Sequence, residues 1–355
     1  MSADITAVRD EDAFDIPRLD AWLRANAPEV VSADEALPIV TQFSKGASNL
    51  TYLIAYGDAG YVLRRPPRGH KASSAHDMKR EVMVQQRLLA YYPLVPRIRA
   101  YCSDPDIVGD EFYVMDRIDG TILRRQLPEG MTLTAEGAAA LARTVIDAQA
   151  DLHSLDPESI GLSDLGRGPG YVGRQVTGWS RRYRDVRTDD VPDAEDVMTW
   201  LVDHQPGDVA ARLIHGDWRL DNLVLDLTGE PRVIGVLDWE MATIGDPLMD
   251  VGASLAYWVQ ADDEPAFQLM RMQPSDLPGM PTREEYVARY LERTGLPMGD
   301  WTFYETYGLF RLAGIAQQIW FRYRRGDTSN PAFAGFGAGV NVLVDRARKL
   351  TSGAS

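Results

Sequence analysis

One stretch constrains the chain more than any other, because it places polar side chains at the ends of short apolar strands. It reads LIHGDWRLDNLVLD, then a turn, then VIGVLDWE. The apolar runs 223–226 and 233–237 are joined by a Thr-Gly-Glu-Pro segment that is typical of a hairpin turn. Asp217 follows the short run 212–214, Asn222 directly precedes 223–226, and Asp238 directly follows 233–237. We therefore expect the three side chains to converge.

This set of oxygen ligands is typical of phosphoryl transfer from a nucleotide. Asp217 can accept the proton of an attacking hydroxyl, while Asn222 and Asp238 can hold Mg²⁺ against the phosphates. Magnesium takes a few hard oxygen ligands, whereas a zinc site would need His and Cys. Kinases carry the same His-x-Asp-x4-Asn spacing before an aspartate at a strand end. The alternative is a turn in which Asp and Asn only cap backbone groups, and four fixed residue types rarely meet at this spacing by chance.

Composition limits the classes of protein to which the chain can belong. Its 355 residues are 45% hydrophobic and 25% charged, which is ordinary for a globular protein and indicates two domains or lobes. A net charge of −15 argues against nucleic acid and anionic membranes as partners. The single cysteine, Cys102, excludes an internal disulfide and fits a reducing compartment. The acidic N-terminus shows no export signal and no apolar run could span a bilayer, so we expect a cytoplasmic protein.

Residue patterns in the first third of the chain predict a small antiparallel sheet. We expect residues 1–14 to be frayed and Asp15 to cap a short helix with Pro17 in its first turn. Apolar runs between turn signals then predict five strands over 38–43, 50–56, 61–65, 98–102 and 111–118. A helical pattern over 73–90 interrupts the strands after the third.

Two features of this sheet suit a nucleotide. In the sequence KGASN, between the first two strands, small residues let backbone amides approach phosphates, although such loops are also ordinary turns. Glu81 in the helix is the natural partner for a cation on the third strand, and Arg64 is a better candidate than Arg65. The alternative for Glu81 is a solvated surface position.

The last strand of the predicted sheet ends in a polar break at Asp119 and Gly120, which suggests a hinge. Backbone groups there could bind an adenine edge, through the Asp116 carbonyl and the Ile118 amide, with Met115 behind them.

After Gly120, helical patterns dominate. We predict helices over 134–154, 171–187, 193–204, 282–293, 303–325 and 335–350, and one beginning at Asp246. His153, at the end of the first, is expected to be a packed or capping residue rather than a catalyst.

With these motifs, the chain resembles the aminoglycoside phosphotransferase family, a branch of the protein-kinase-like fold. The resemblance covers residues 37–325 and is carried by HGDWRLDN with LDWE, and by KGASNLTY, YVLRR, REVMVQQRLL and YVMDRIDG. A finer match, in YVLRRPPRG, GWSRRYRD and DWEMATIGDPLMDVG, is to the kinase-like domain associated with acyl-CoA dehydrogenases. The family resemblance implies an α+β, bilobal fold with a five-stranded antiparallel sheet and one main helix in the N-terminal lobe. The implied division is a helical extension at 1–36, the N-terminal lobe at 37–118 and a mostly helical C-terminal lobe at 119–355.

The resemblance also implies a role for each matching residue. Asp217 would be the catalytic base, and Asn222 and Asp238 would bind Mg²⁺. The nucleotide, ATP or GTP, would be bound by Lys45, Gly46, Ser48, Asn49, Arg64, Glu81, Met115, Asp116 and Ile118. The small-molecule acceptor would be bound by Trp179, Arg182, Tyr183, Glu240 and Trp258.

The chain departs from protein kinases in three places. Its third strand offers Arg64 where they use Lys, and a guanidinium binds phosphate as a planar fork rather than as a point charge. Its metal aspartate lies in DWE rather than DFG, and its first loop lacks the full GxGxxG pattern. These departures favour a kinase of small molecules.

The identity of the acceptor stays open. Arginines at 174–187 and 322–325 favour an anionic acceptor such as a hydroxyacyl-CoA, in line with a functional link to an acyl-CoA dehydrogenase. Alternatively, these arginines pair at the surface with Asp185, Asp189 and Asp190, and the acceptor is an aminoglycoside or a choline-like amino alcohol.

Two other classes of protein fit the sequence less well than a kinase does. A nucleotide-binding pseudokinase scaffold would be expected to lack the base or a metal ligand, and all three are present. An acyltransferase or hydrolase finds no support, because no GxSxG nucleophile elbow occurs.

Overall fold

The computed structural model describes residues 5–32, 36–43, 49–67, 77–328 and 330–353. The chain forms two compact units. The first comprises the residues up to Asp119 together with Gly235–Ala242, and the second comprises Gly120–Ile234 together with Thr243–Ser355. Within the described ranges, no helix has both the length and the apolar character that crossing a membrane requires. The domain boundaries at residues 36 and 118 stay a prediction.

The first unit contains, in its described part, a six-stranded antiparallel sheet. The strands are β1 (Ile5–Thr6), β2 (Ile39–Phe43), β3 (Leu50–Tyr56), β4 (Ala59–Arg65), β5 (Ile98–Cys102) and β6 (Phe112–Asp116). They lie in the order β1-β2-β3-β4-β6-β5, and all neighbours are antiparallel. The α+β class is confirmed, whereas the predicted number of strands, five, was wrong.

The sixth strand comes from the segment that was expected to be frayed. β1 pairs with Phe43 and Gln42 of β2. The buried carboxylate of Asp12 accepts hydrogen bonds from the side chains of Gln42 and Arg9, and its backbone carbonyl accepts one from the Tyr52 hydroxyl. These polar contacts fix residues 5–14, and they have no apolar periodicity by which the sequence could reveal them.

Helices cover both faces of this sheet. They are α1 (Ile16–Asn26), α2 (Met78–Leu88) and the single turn α3 (Pro105–Val108). Asp15 caps α1 as predicted, accepting from the Arg18 amide at 3.0 Å. Leu63 of β4 lies in the apolar cluster with α1, and its neighbour Val62 lies in the cluster with α2. Successive residues of β4 therefore face opposite helices.

The second unit is mostly helical. Its helices are α4 (Ala135–His153), α5 (Tyr171–Val186), α6 (Glu195–Asp203), α7 (Pro247–Leu255), α8 (Pro265–Gln268), α9 (Arg283–Thr294), α10 (Trp301–Arg324) and α11 (Phe336–Gly353). All seven helices predicted after Gly120 are confirmed with ends shifted by a few residues, and α8 was not predicted. Four short strands complete it: β7 (Arg212–Ile214), β8 (Leu223–Asp226), β9 (Arg232–Val236) and β10 (Thr243–Gly245). β7 pairs with β10, and β8 pairs with β9, whose last two residues belong to the first unit.

The long helix α10 lies in the apolar core of the second unit and packs against α5, α7 and α11. Its crossing with α7 is close because glycine faces glycine. A Cβ atom on Gly308 would lie 2.0 Å from the carbonyl oxygen of Gly252, so a larger residue would force the helices apart. Asp250 on α7 and Arg311 on α10 lie within one turn of these glycines, and the crossing therefore fixes both.

Candidate active site

Arg64 of β4 makes the charged contact that the sequence predicted. Its guanidinium donates to Glu81 of α2 at 2.9 Å and to Asp238 at 2.8 Å. The neighbouring Arg65 faces the other side of the sheet, where the Tyr52 hydroxyl and backbone carbonyls accept its hydrogen bonds. The pairing of Glu81 with Arg64 rather than Arg65 is confirmed.

Burial dominates the electrostatics of this group. The Glu81 side chain is 1% exposed, and burial raises its pKa, as does the charge of Asp238, although Arg64 opposes both. Burial lowers the pKa of Arg64, but the charges of Glu81, Tyr113 and Asp238 outweigh it and raise the pKa well above its ordinary value. Arg64 is therefore a permanent cation held by two carboxylates in a fork geometry.

Asp238 follows β9 by two residues and has a left-handed backbone with a φ of 67°. Aspartate tolerates this conformation better than most residues, and such outliers cluster at functional sites. The residues after it are anchored. The Trp239 indole donates to the Val236 carbonyl at 2.8 Å, and the Glu240 carboxylate accepts from Asn49 at 2.8 Å. Two predicted site residues, Asn49 and Glu240, thus bind each other.

In the second unit, the loop after β7 brings Asp217 and Asn222 together. The Asn222 amide nitrogen donates to the Asp217 backbone carbonyl at 2.8 Å and to its carboxylate at 2.9 Å. This orientation follows from charge, because an amide oxygen facing two other oxygens would be repelled. The amide oxygen of Asn222, a hard ligand, is consequently turned away from Asp217. The convergence of this pair with Asp238, which belongs to the first unit, stays a prediction.

Two charged side chains hold the peptide groups of Gly216, immediately before Asp217. Gly216 has a φ of 83°, its amide donates to Asp250 at 2.9 Å, and its carbonyl accepts from Arg311 at 2.7 Å. His153 lies 3.2 Å from the other oxygen of Asp250 and is 1% exposed. His153 is thus packed, as predicted.

Asp250 is ionised although it is buried. Burial by itself would raise its pKa, but the hydrogen bond and charge of His153, with the charges of His215 and Arg311, lower the pKa below its ordinary value of 3.8. An ionised carboxylate is the stronger acceptor for the Gly216 amide.

Three residues that contact the loop were not predicted as site residues. Asp250 was assigned only to a helix, and Arg311 lies on a helix far along the chain, where no local pattern links it to the loop. Arg219 could have been found, because it follows Asp217 by two residues within the motif. Its guanidinium lies 3.3 Å from the Asp217 carboxylate and 3.1 Å from that of Asp221.

The predicted acceptor residues of the second unit divide into two pairs. The guanidinium carbon of Arg182 lies 4.9 Å from the centroid of the Trp179 ring, and that of Arg311 lies 5.5 Å from the same centroid. Tyr183 and Trp258 are buried in the helical core, where they donate to backbone carbonyls at 2.8 and 2.9 Å. Their role in acceptor binding stays a prediction.

The remaining predicted nucleotide residues are only partly described. Lys45, Gly46 and Ser48 lie outside the described residues. Met115 is buried in the apolar cluster that includes Val62. The Asp116 side chain pairs with Arg99 at 2.6 Å, and the backbone role proposed for Asp116 and Ile118 stays a prediction.

Comparison with known proteins identifies the family of the chain. The model of the phosphotransferase enzyme family matches residues 39–305, more than half of the chain. The chain belongs to the phosphotransferase enzyme family. It is 36% identical over 334 residues to acyl-CoA dehydrogenase family member 11 of Rattus norvegicus, covering 93% of this chain and 42% of that protein. It is 35% identical over 352 residues to the same family member of Homo sapiens, covering 98% and 44%. It therefore spans less than half the length of these relatives.

Solved structures confirm the kinase-like fold of the chain. A putative aminoglycoside phosphotransferase from Ralstonia eutropha superposes with a TM-score of 0.80 and 31% identity, covering 96% of this chain and 99% of that one. A choline kinase from Cryptosporidium parvum superposes with a TM-score of 0.65 over 96% of each chain. Its identity of 12% supports the fold alone.

Proposed function

We propose that this phosphotransferase transfers the γ-phosphoryl group of ATP to a hydroxyl of a small-molecule acceptor. The observation that carries the proposal is the contact between Asp217 and Asn222, in which the amide nitrogen faces the candidate base and leaves the amide oxygen turned away from it. The fixed ion pair of Arg64 with Glu81 supports a nucleotide-binding role for the first unit.

Asp217 would accept the proton of the acceptor hydroxyl while the hydroxyl oxygen forms a bond to the γ-phosphorus. The bond from that phosphorus to the bridging oxygen breaks, and ADP leaves. Arg219, 3.3 Å from the Asp217 carboxylate, would orient that carboxylate. Asp250 and Arg311, which hold the Gly216 peptide groups, would fix the backbone that carries it.

The available donors fit magnesium. Asn222 offers an amide oxygen and Asp238 a carboxylate, while the described residues contain no group of three His, Cys, Asp or Glu side chains that could hold a metal. A site with few protein ligands, completed by water and phosphate, is the magnesium pattern. Bound Mg²⁺ would supply charge neutralisation at the phosphates. Arg64, held by Glu81, would orient the α- and β-phosphates of the nucleotide.

For the acceptor we propose a hydroxyacyl-CoA. Two arginines, Arg182 and Arg311, lie on the ring of Trp179 near the loop of Asp217, which favours an anionic molecule. The relatives named as acyl-CoA dehydrogenase family members support the same class, and they suggest a functional link to such a dehydrogenase.

The test is phosphoryl transfer from ATP or GTP with Mg²⁺ to 3-hydroxybutyryl-CoA, choline and kanamycin. We expect transfer to the thioester, and we expect Asp217→Asn to lower kcat by about 10²–10⁴ while keeping the fold, because only the base is removed. Asp226→Asn, which changes a partly exposed carboxylate paired with Arg232, is the control and should keep full turnover. If Asp217→Asn turns over as fast as the wild type, Asp217 is not the catalytic base. Transfer only to choline or kanamycin would replace the acceptor class, and no nucleotide binding at all would favour a scaffold.

A further inference from the structure

Three arginines of the second unit, Arg219, Arg311 and Arg182, each lie against an aromatic ring, and the first two also contact Asp217 or the preceding Gly216. Arg219 lies 4.7 Å from the centroid of Tyr257. Arg182 and Arg311 lie on Trp179. A guanidinium stacks on an aromatic face without losing its ability to donate hydrogen bonds in its own plane. All three cations are thus oriented while still able to bind an anion.

The carboxylates of the second unit satisfy only some of its arginines. Arg219 contacts Asp217 and Asp221. On α5 and α10, Arg184 pairs with Glu195 at 2.6 Å and Arg324 with Asp190 at 2.9 Å. The pair of Arg324 with Asp190 agrees with the surface pairing that the sequence left open, whereas the pairing of Arg184 with Glu195 was not predicted.

Arg182 and Arg311 differ from these neighbours. Within the described part of the chain, neither has a carboxylate at ion-pair distance. Arg182 is exposed, and its contact is the Trp179 ring. Arg311 is 7% exposed, and beyond the same ring it donates to the uncharged carbonyl of Gly216. Burying a cation without an anion in direct contact is costly, so a buried arginine of this kind indicates a missing anionic partner.

The groups around Arg311 do not supply that anion. Burial raises the pKa of Tyr307 to about 12, and burial likewise raises the pKa of Tyr257. Both phenols are therefore neutral at physiological pH and can act as further donors. Two acidic side chains act on Arg311 through their charges, Asp217 and the buried Asp250, but neither lies at ion-pair distance from its guanidinium. Arg219 already contacts Asp217, and His153 and the Gly216 amide already contact Asp250.

We propose that Arg182, Trp179 and Arg311 form a subsite for an anionic group of the acceptor, a carboxylate or a phosphate, beside the loop of Asp217. The proposal rests on the proposed function, because the acceptor must place its hydroxyl at Asp217 while the arginines bind its anion. Arg311 supplies a fixed donor tied to the Gly216 carbonyl, and the exposed Arg182 supplies the donor that solvent can reach.

The experiment measures binding of three probes to the full chain by titration calorimetry without nucleotide. The probes are 3-hydroxybutyryl-CoA, free 3-hydroxybutyrate, and the uncharged 3-hydroxybutyryl-pantetheine. We expect Arg182→Gln to raise the Kd of the anionic probe that binds by about 5- to 20-fold, as the loss of one partly exposed charge-assisted bond implies, and to leave the uncharged probe unaffected. Arg181→Gln, an exposed neighbour on the same helix, is the matched control and should bind all probes as the wild type does.

Arg311→Lys is a second test of the subsite, made at its buried arginine. Lysine keeps the positive charge but lacks the planar guanidinium that stacks on Trp179 and donates two parallel hydrogen bonds. We expect this variant to bind the anionic probe more weakly than the wild type does and to bind the uncharged probe with an unchanged Kd. Binding of the CoA ester but not of the free acid would assign the subsite to phosphate, and the reverse would assign it to carboxylate. Equal losses for charged and uncharged probes in Arg182→Gln, or no binding of either anion by the wild type, would overturn the proposal. Stabilisation of the wild type by Mg-ATP tests the proposed function separately, so the two failures are distinguishable.

Discussion

Arg64 holds together the charged group of the first unit, which consists of Arg64, Glu81 and Asp238. It lies between Glu81, which is almost fully buried, and Asp238, whose side chain is 27% exposed. Removing two opposite charges from water costs roughly as much as their attraction returns, so such a pair contributes little net stability. Removing only one partner is different, because it leaves the other buried and uncompensated.

Arg64→Gln is therefore expected to lower the free energy of unfolding by about 3–5 kcal/mol. Adding Glu81→Gln should restore a large part of this loss, because the buried carboxylate is then neutral. Urea unfolding of the wild type, both single variants and the double variant measures the coupling between the two side chains.

Arg99→Gln is the control for that series. Arg99 also lies on the sheet and also forms a bidentate pair, with Asp116, but both partners are about 30% exposed. Its loss should cost no more than about 1 kcal/mol. If Arg64→Gln and the double variant are equally stable, the loss of Arg64 does not leave Glu81 as an uncompensated buried charge. That result would contradict the account of the ion pair.

At the scale of elements, four segments meet at one glycine. β7 leads into Gly216, α7 supplies Asp250, α10 supplies Arg311, and α4 supplies the His153 that holds Asp250. The close crossing of α7 and α10 sets the distance between the two charged side chains. The position of the loop therefore depends on helix packing rather than on the loop sequence alone.

The pH dependence of stability should report this arrangement. The pKa of Asp250 is lower in the folded chain than its ordinary value of 3.8, so its stabilising contribution is complete above pH about 3.8 and is lost as the pH falls further. Asp250→Asn should cost about 3–5 kcal/mol at pH 7, because it leaves His153 and the Gly216 amide without their charged partner. The difference between wild type and variant, measured by urea unfolding from pH 7 to pH 3, should shrink at the acid end.

Asp147→Asn on α4 serves as the control. Asp147 pairs with Arg289 at 2.6 Å, but its side chain is 28% exposed, so its removal should cost at most about 1 kcal/mol. A difference for Asp250→Asn that stays constant over the whole pH range would show that Asp250 does not titrate below its ordinary range in the folded chain.

What the sequence revealed depended on how local each signal is. The caps Asp15, Thr134 and Thr282 bind amides within the first turn of their own helices, so their positions could be predicted within a residue or two. Asp217 and Asn222 were found for the same reason, since their contact spans five residues. Arg64 required the additional rule that neighbouring strand residues face opposite sides.

The features that sequence patterns missed join residues far apart in the chain. Arg65 and Tyr52 bind the backbone of Asp12, which fixes the segment before α1, and nothing in the local pattern of that segment indicates a partner. The donation from Arg311 to Gly216 spans 95 positions and is set by the helix crossing. Such contacts follow from tertiary packing, which periodicity does not encode.

At the scale of the whole molecule, the candidate roles divide between the two units. The described residues predicted to bind the nucleotide, together with Asp238, all belong to the first unit, whereas Asp217 and Asn222 belong to the second. Ligand binding to the native chain should therefore be measured on the full chain, since a ligand that binds only the folded state stabilises it in proportion to the logarithm of its concentration over its Kd.

The last prediction concerns Asp238 and the stabilisation that Mg-ATP gives to the whole chain. At a ligand concentration a hundredfold above Kd, native-state binding adds about 2.7 kcal/mol, which for 355 residues corresponds to a rise of about 3–4 °C in the unfolding midpoint. The wild type should show this rise with ATP and Mg²⁺ and lose it with a chelator. Asp238→Ala should show no magnesium-dependent rise. Its midpoint without ligand will also fall because Arg64 loses a partner, so the quantity to compare is the ligand-induced rise.

Asp119→Ala provides the matched control for this measurement, because Asp119 also belongs to the first unit but its side chain is 78% exposed and, among the described residues, forms its ion pair with the exposed Arg117. That variant should keep the full rise with Mg-ATP. If Asp238→Ala keeps it too, Asp238 is not a ligand of the metal, and its contact with Arg64 is structural. If the rise persists in the wild type without magnesium, the nucleotide is bound by the chain's own cations, with Arg64 as the first to substitute.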